Sequence, residues 1–156
     1  MNMLGITIVY PTMIAAFSMF SCGTYAETIQ LVCRYHRVQP KPVGREEIEE
    51  VDADTTRQEI TRISPGVRLI EKNEEFDTTI SHEKKIVNIT PRIISVERRS
   101  YYRIYIGNEV FSIDRSTGYI SISDNTTVLI PNEYKGPKEG TQYIGVCDKR
   151  DGPNKF

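Results

Sequence analysis

Between Tyr101 and Ser123 apolar and polar residues alternate through two turn signals, and this period of two most restricts what the chain can fold into. Gly107-Asn108 has the length and composition of a two-residue hairpin loop. That loop pairs Tyr105 with Val110, Ile104 with Phe111, Arg103 with Ser112 and Tyr102 with Ile113. Arg115-Ser116-Thr117-Gly118 suits a four-residue type I turn ending in a left-handed glycine. It pairs Asp114 with Tyr119, Ile113 with Ile120 and Phe111 with Ile122. The two registers agree, and a one-residue slip in either would move every side chain to the opposite face. The predicted core face carries Tyr102, Ile104, Ile106, Phe111, Ile113, Ile120 and Ile122. The predicted outer face carries Tyr101, Asp114 and Tyr119 in one row and Arg103, Ser112 and Ser121 in the next.

Strand patterning extends beyond this meander. Thr28 to Tyr35 places Ile29, Leu31, Cys33 and Tyr35 on one face. Further segments run over Val67 to Glu71, Lys84 to Thr90, Arg92 to Arg98, Thr126 to Ile130 and Tyr143 to Cys147. Pro91 separates two of them and belongs at a bulge or bend, where its missing N–H matters least. Residues 39–66 break the pattern. Pro40, Pro42 and Gly44 read as a turn-rich link, and Arg45-Glu46-Glu47-Ile48-Glu49-Glu50 is too charged for a buried strand. A short exposed helix and a loop are both open there, and the loop is the expectation.

The ends of the chain carry the remaining constraints. All 20 Lys and Arg and all 21 Asp and Glu lie at or after Glu27. The uncharged, mostly apolar residues 1–26 end in Thr24-Tyr25-Ala26, the small-x-small pattern cleaved from a secretory signal. The n-region lacks Lys and Arg, and Pro11 interrupts the apolar run. A retained anchor and a lipid on Cys22 are the alternative fates of this segment. Either processing route removes Cys22 and leaves Cys33 and Cys147, 114 positions apart, without metal-ligand or redox spacing. In an oxidising compartment such a pair forms one structural disulfide. The expectation is a signal peptide over 1–26 and one mostly β domain over 27–156. That domain is an antiparallel β-meander, barrel-like or sandwich, closed by the disulfide.

The Cys33 strand, the hairpin Ser112-Ile113-Asp114-Arg115-Ser116-Thr117-Gly118 and the terminal Gly145-Val146-Cys147 resemble a pattern in small secreted proteins of Gram-negative bacteria. The resemblance implies a periplasmic β-meander and no activity. In size and layout the chain is distantly similar to periplasmic inhibitors of C-type lysozyme, without their signature loop, which is a likeness of fold alone.

A net charge of −1 with both signs interspersed gives no field for nucleic acid or an anionic membrane. Catalytic motifs are lacking. His36 reads as a strand-end surface residue and His82 as solvated loop, and no nucleophile elbow is present. The acidic run from Glu46 to Asp54 lacks the alternation and glycine of a calcium loop. No catalytic, cofactor-binding or metal residues are therefore assigned, and no cofactor is expected. The candidate binding surface is Tyr101, Arg103, Tyr105 and Tyr119, since Tyr and Arg are enriched at interaction hot spots. The leading expectation is an exported binding or inhibitor-like module, periplasmic or extracellular, facing a protein or envelope glycan. A structural envelope protein, tethered if Cys22 is lipidated, and a small hydrolase are the alternatives. No stable membrane span is expected after processing.

Overall fold

The alternation becomes ten antiparallel strands in the computed structural model, which describes residues 27–137 and 140–150. They are β1 (Thr28–Gln39), β2 (Glu47–Asp54), β3 (Glu59–Ser64), β4 (Val67–Glu71) and β5 (Glu74–Asp77). Then follow β6 (Ser81–Ile89), β7 (Ile93–Tyr102), β8 (Tyr105–Asp114), β9 (Tyr119–Val128) and β10 (Thr141–Lys149). They form one sheet in the order β4-β3-β2-β1-β10-β9-β8-β7-β6-β5, curled into a half-barrel. The expected signal segment and Cys22 lie outside the described residues.

The first and last strands meet in mid-sheet. Cys33 faces Cys147 across the β1–β10 ladder, and the two are disulfide-bonded with Cα atoms 3.9 Å apart. The free edges are β4 and β5, neighbours in sequence, so the sheet ends where the chain runs on through Lys72-Asn73. Side chains span this seam. Asn73 Oδ1 accepts from the Val87 N–H at 2.7 Å, and Gln58 both donates to and accepts from the Ile89 backbone.

The core lines the concave face. Ile29, Leu31, Val51, Ala53, Ile60, Ile94, Phe111, Ile113 and Ile120 are buried there around the disulfide. Fully burying a side chain of this size stabilises by roughly 1.5–3 kcal/mol, so this cluster outweighs any surface contact. The Asp114 to Tyr119 turn forms as its residues dictate. Ile113 pairs with Ile120 and Phe111 with Ile122, Gly118 takes φ 72°, and Asp114 Oδ1 accepts from the Ser116 and Thr117 N–H groups. Those bonds, the Ser116 hydroxyl first, hold the Asp114 carboxyl below its usual range. Pro91 sits in the bend between β6 and β7, where Thr90 Oγ1 accepts from the Ile93 N–H.

Three expectations are corrected. Residues 39–66 are not all loop, for β2 and β3 occupy half of them. Glu49 points inward and is only 5 % exposed, its charge met by Arg62, and a carboxylate at a core position is what hid the alternation. Gly107-Asn108 is no turn either. β7 runs straight through Tyr102, the chain reverses at Arg103-Ile104, and Gly107 pairs with Ser100 on one side and Thr126 on the other. The longer β7 places Val96 opposite Phe111 and Ile94 opposite Ile113, all buried, which the Gly107 hairpin could not do. The predicted partners of Tyr102, Arg103, Ile104 and Tyr105 are therefore not formed. Finally, the segments on either side of Asn125 are one strand, β9.

Candidate functional site

The corrected register arranges β7, β8 and β9 in rows on the concave face. Opposed residues on one face are neighbours, so Val96, Phe111 and Ile122 make a buried row. Next along the strands comes Arg98, Glu109 and Asp124, then Ser100, Gly107 and Thr126, then Tyr102, Tyr105 and Val128. The third row is a floor of small residues between a charged wall and an aromatic one. A glycine inside a strand has no side chain to pack and often marks a bulge, a bend or a close approach to the backbone. A Cβ built on Gly107 would sit in ordinary van der Waals contact, 3.8 Å from Ser100 Cβ and from Tyr105 Cε2, so a small side chain would not clash on this floor. The groove above it, about 650 Å³, is bounded also by Tyr134 and Glu133 of the β9–β10 connection.

The aromatic wall is continuous. Tyr102 stacks on Tyr105 with ring centroids 4.5 Å apart, and Tyr105 meets Tyr134 at 5.3 Å, tilted by 56°. Each outer ring is tethered by its hydroxyl: Tyr102 donates to Glu83 at 2.9 Å and Tyr134 to the Pro137 carbonyl at 2.9 Å. The bond to Glu83 is the main reason the Tyr102 hydroxyl is pushed up to about 12, since losing its proton would set two negative charges together. On the charged wall, Arg98 is shared between Glu109 at 2.9 Å and Glu71 at 3.3 Å. Glu71, only 1 % exposed, also takes Lys85 at 2.8 Å. Asp124 is exposed and has no ion-pair partner among the described residues.

The structure does not bring the predicted surface together. Tyr101 pairs with Ile106 near the top of β7, whereas Tyr119 begins β9 beside Val146. Eight β8 positions separate their levels, roughly 26 Å along the strands. Both lie on the convex face and are partly exposed, at 37 % and 45 %. Arg103 is in the turn, its side chain 78 % exposed and paired with Glu133. Tyr105 alone joins the groove, beside Tyr102, which was expected on the other face. The predicted core side likewise divides. Phe111, Ile113, Ile120 and Ile122 are buried, while Tyr102, Ile104 and Ile106 are only partly so. Gly107 was the available signal, and reading it as a turn concealed the groove.

His36 is exposed in mid-β1, opposite Ile144. His82 lies in β6, not in a loop, with Nδ1 2.5 Å from Asp77 and Nε2 3.5 Å from Glu75. This ties the short edge strand β5 to β6, and no hydroxyl or thiol nucleophile is hydrogen-bonded to the ring among the described residues. Comparison with known proteins adds no relative: no family model, curated protein or solved structure matches the chain.

Proposed function

We propose that this chain is an exported, non-enzymatic binding module that takes its ligand in the groove between Tyr105 and Asp124. The observation that carries this reading is the Ser100–Gly107–Thr126 floor, left unfilled beside three clustered tyrosines. Binding sites favour such concavities at barrel mouths, with aromatic walls and a few placed polar groups. Tyrosine also contributes contact area at little conformational cost. Export is supported by the uncharged segment ending Thr24-Tyr25-Ala26 and by a disulfide suited to an oxidising compartment. A protein segment or an envelope glycan is the class of partner this reading supposes, and the resemblance to small periplasmic proteins accords with it.

The test is a titration of the purified protein with envelope glycan fragments and short peptides, followed by tyrosine ring resonances. Binding should perturb Tyr102, Tyr105 and Tyr134 and spare Tyr101 and Tyr119. Gly107→Leu, which fills the floor at a position of ordinary φ, should abolish it. Equal binding by Gly107→Leu, or shifts confined to the convex tyrosines, would refute the assignment.

A further inference from the structure

We propose that the groove recognises a cation, an alkylammonium or guanidinium group seated on the tyrosine wall and neutralised by Asp124. This rests on the groove being a binding site and names what it binds.

The charges around the groove point to a positive ligand. Four carboxylates face it or border it: Glu83, Glu109, Asp124 and Glu133. Of the cations nearby, Arg98 is held by Glu71 and Glu109, and Arg103 by Glu133. Lys135 also lines the groove and has no ion-pair partner among the described residues. The four carboxylates outnumber the three cations, and Asp124, on the wall facing the tyrosines, has no ion-pair partner among the described residues. Aromatic faces carry the negative end of the ring quadrupole and attract ammonium and guanidinium groups within about 6 Å of the ring centre. The tilt of 56° between Tyr105 and Tyr134 makes a corner rather than a flat platform.

The spacing fits as well. Asp124 and Val128 mark the two walls on β9, four residues apart, or roughly 13 Å between Cα atoms. The floor between these walls, at the level of Gly107 and Thr126, is where a single headgroup would sit. An anionic ligand is disfavoured by the same arrangement. Tyr102 spends its hydroxyl proton on Glu83, and Asp124 would repel a phosphate or carboxylate.

The experiment compares four probes on the purified protein: choline, its neutral isostere 3,3-dimethylbutanol, Nα-acetyl-arginine amide, and a neutral monosaccharide. Choline or the arginine derivative should bind about tenfold more tightly than the neutral isostere, as a partly desolvated cation–π contact with a counter-charge provides. Whichever of the two binds more tightly identifies the source as a quaternary headgroup or a peptide side chain. Asp124→Asn should erase most of the preference while leaving the circular dichroism spectrum unchanged, and Tyr134→Leu should weaken both cations. Equal affinity for choline and the neutral isostere would overturn the cation assignment while leaving a binding groove in place. Preference for the sugar would do the same. If none of the four probes moves the Tyr102, Tyr105 and Tyr134 resonances, the cation assignment falls, and the binding reading is decided by the peptide and glycan titration.

Discussion

The two ends of the concave face are built from the same strands and do opposite things. At the end closed by the Asp114–Gly118 turn, every inward position on β7, β8 and β9 is filled by Ile, Val or Phe and buried. At the end closed by Arg103-Ile104, the inward positions are Ser, Gly, Thr, partly buried tyrosine and Val128. Between them runs a charged row in which Arg98 is paired with Glu109 and Glu71 while Asp124 has no ion-pair partner among the described residues. Deeper in the core a second pair is closed. The Arg62 guanidinium meets Glu49 through two bonds of 3.0 and 3.1 Å and lies 4.3 Å over the Phe111 ring. One end of the sheet therefore holds the fold and the other is released from that duty. A half-barrel can carry an unfilled groove because its stability is supplied elsewhere along the same strands.

Removing the packed end should have the largest effects. Phe111→Ala leaves a cavity in the core, and Glu49→Ala strands the Arg62 charge where only about a tenth of its side chain is exposed. Each should destabilise by roughly 3–5 kcal/mol in denaturant unfolding. Small losses would mean that the two ends are not divided as described. Cys147→Ser should follow at roughly 2–5 kcal/mol, since the bond closes a long loop in the unfolded chain. A loss of that size with the groove resonances unchanged would place the clasp on the packed side of the comparison.

Tyr35 gives a subtler test. Burial is the chief cause, with Glu49 next, of its hydroxyl being pushed up to about 12. An unfolded tyrosine ionises near pH 10. The folded state thus holds this proton more tightly, and stability present in full below about pH 10 should be lost as pH rises towards 12. Tyr35→Phe should flatten that part of the alkaline unfolding curve, and an unchanged curve would show that Tyr35 is not the responsible group.

The smallest effect separates two registers by its sign. In β8, Gly107→Ala should be stabilising by roughly 0.5–1 kcal/mol, because alanine suits a strand interior better and meets no clash. Were Gly107 in a primed turn, its positive φ would make the same change destabilising. Tyr101→Ala and Tyr119→Ala, on the convex face, should move stability by no more than about 0.5 kcal/mol.

How much of this was legible in the sequence depended on whether a local signal had a competitor. The Asp114 turn was readable because Asp114, Ser116, Thr117 and Gly118 satisfy one another within five residues. The cysteine pair was readable through compartment and parity. Gly107-Asn108 carries as good a hairpin signature, yet running β8 straight through it lets β7 bury Ile94 and Val96, and burial outweighs turn preference. Glu49 misled for the mirror reason, since nothing near it in sequence announces that Arg62 will be its partner.

The sequence by itself determined the period of two, the turn at Asp114, the faces of Phe111, Ile113, Ile120 and Ile122, and the identity of the disulfide. Each rests on residues whose preference is met by close neighbours or by elimination. Only the tertiary structure decided which residues share the groove, because strand register is a contest among all pairings of the sheet at once. The free energy that settles it comes from side chains far apart in the chain, Arg62 and Phe111, Glu71 and Arg98, Tyr105 and Tyr134.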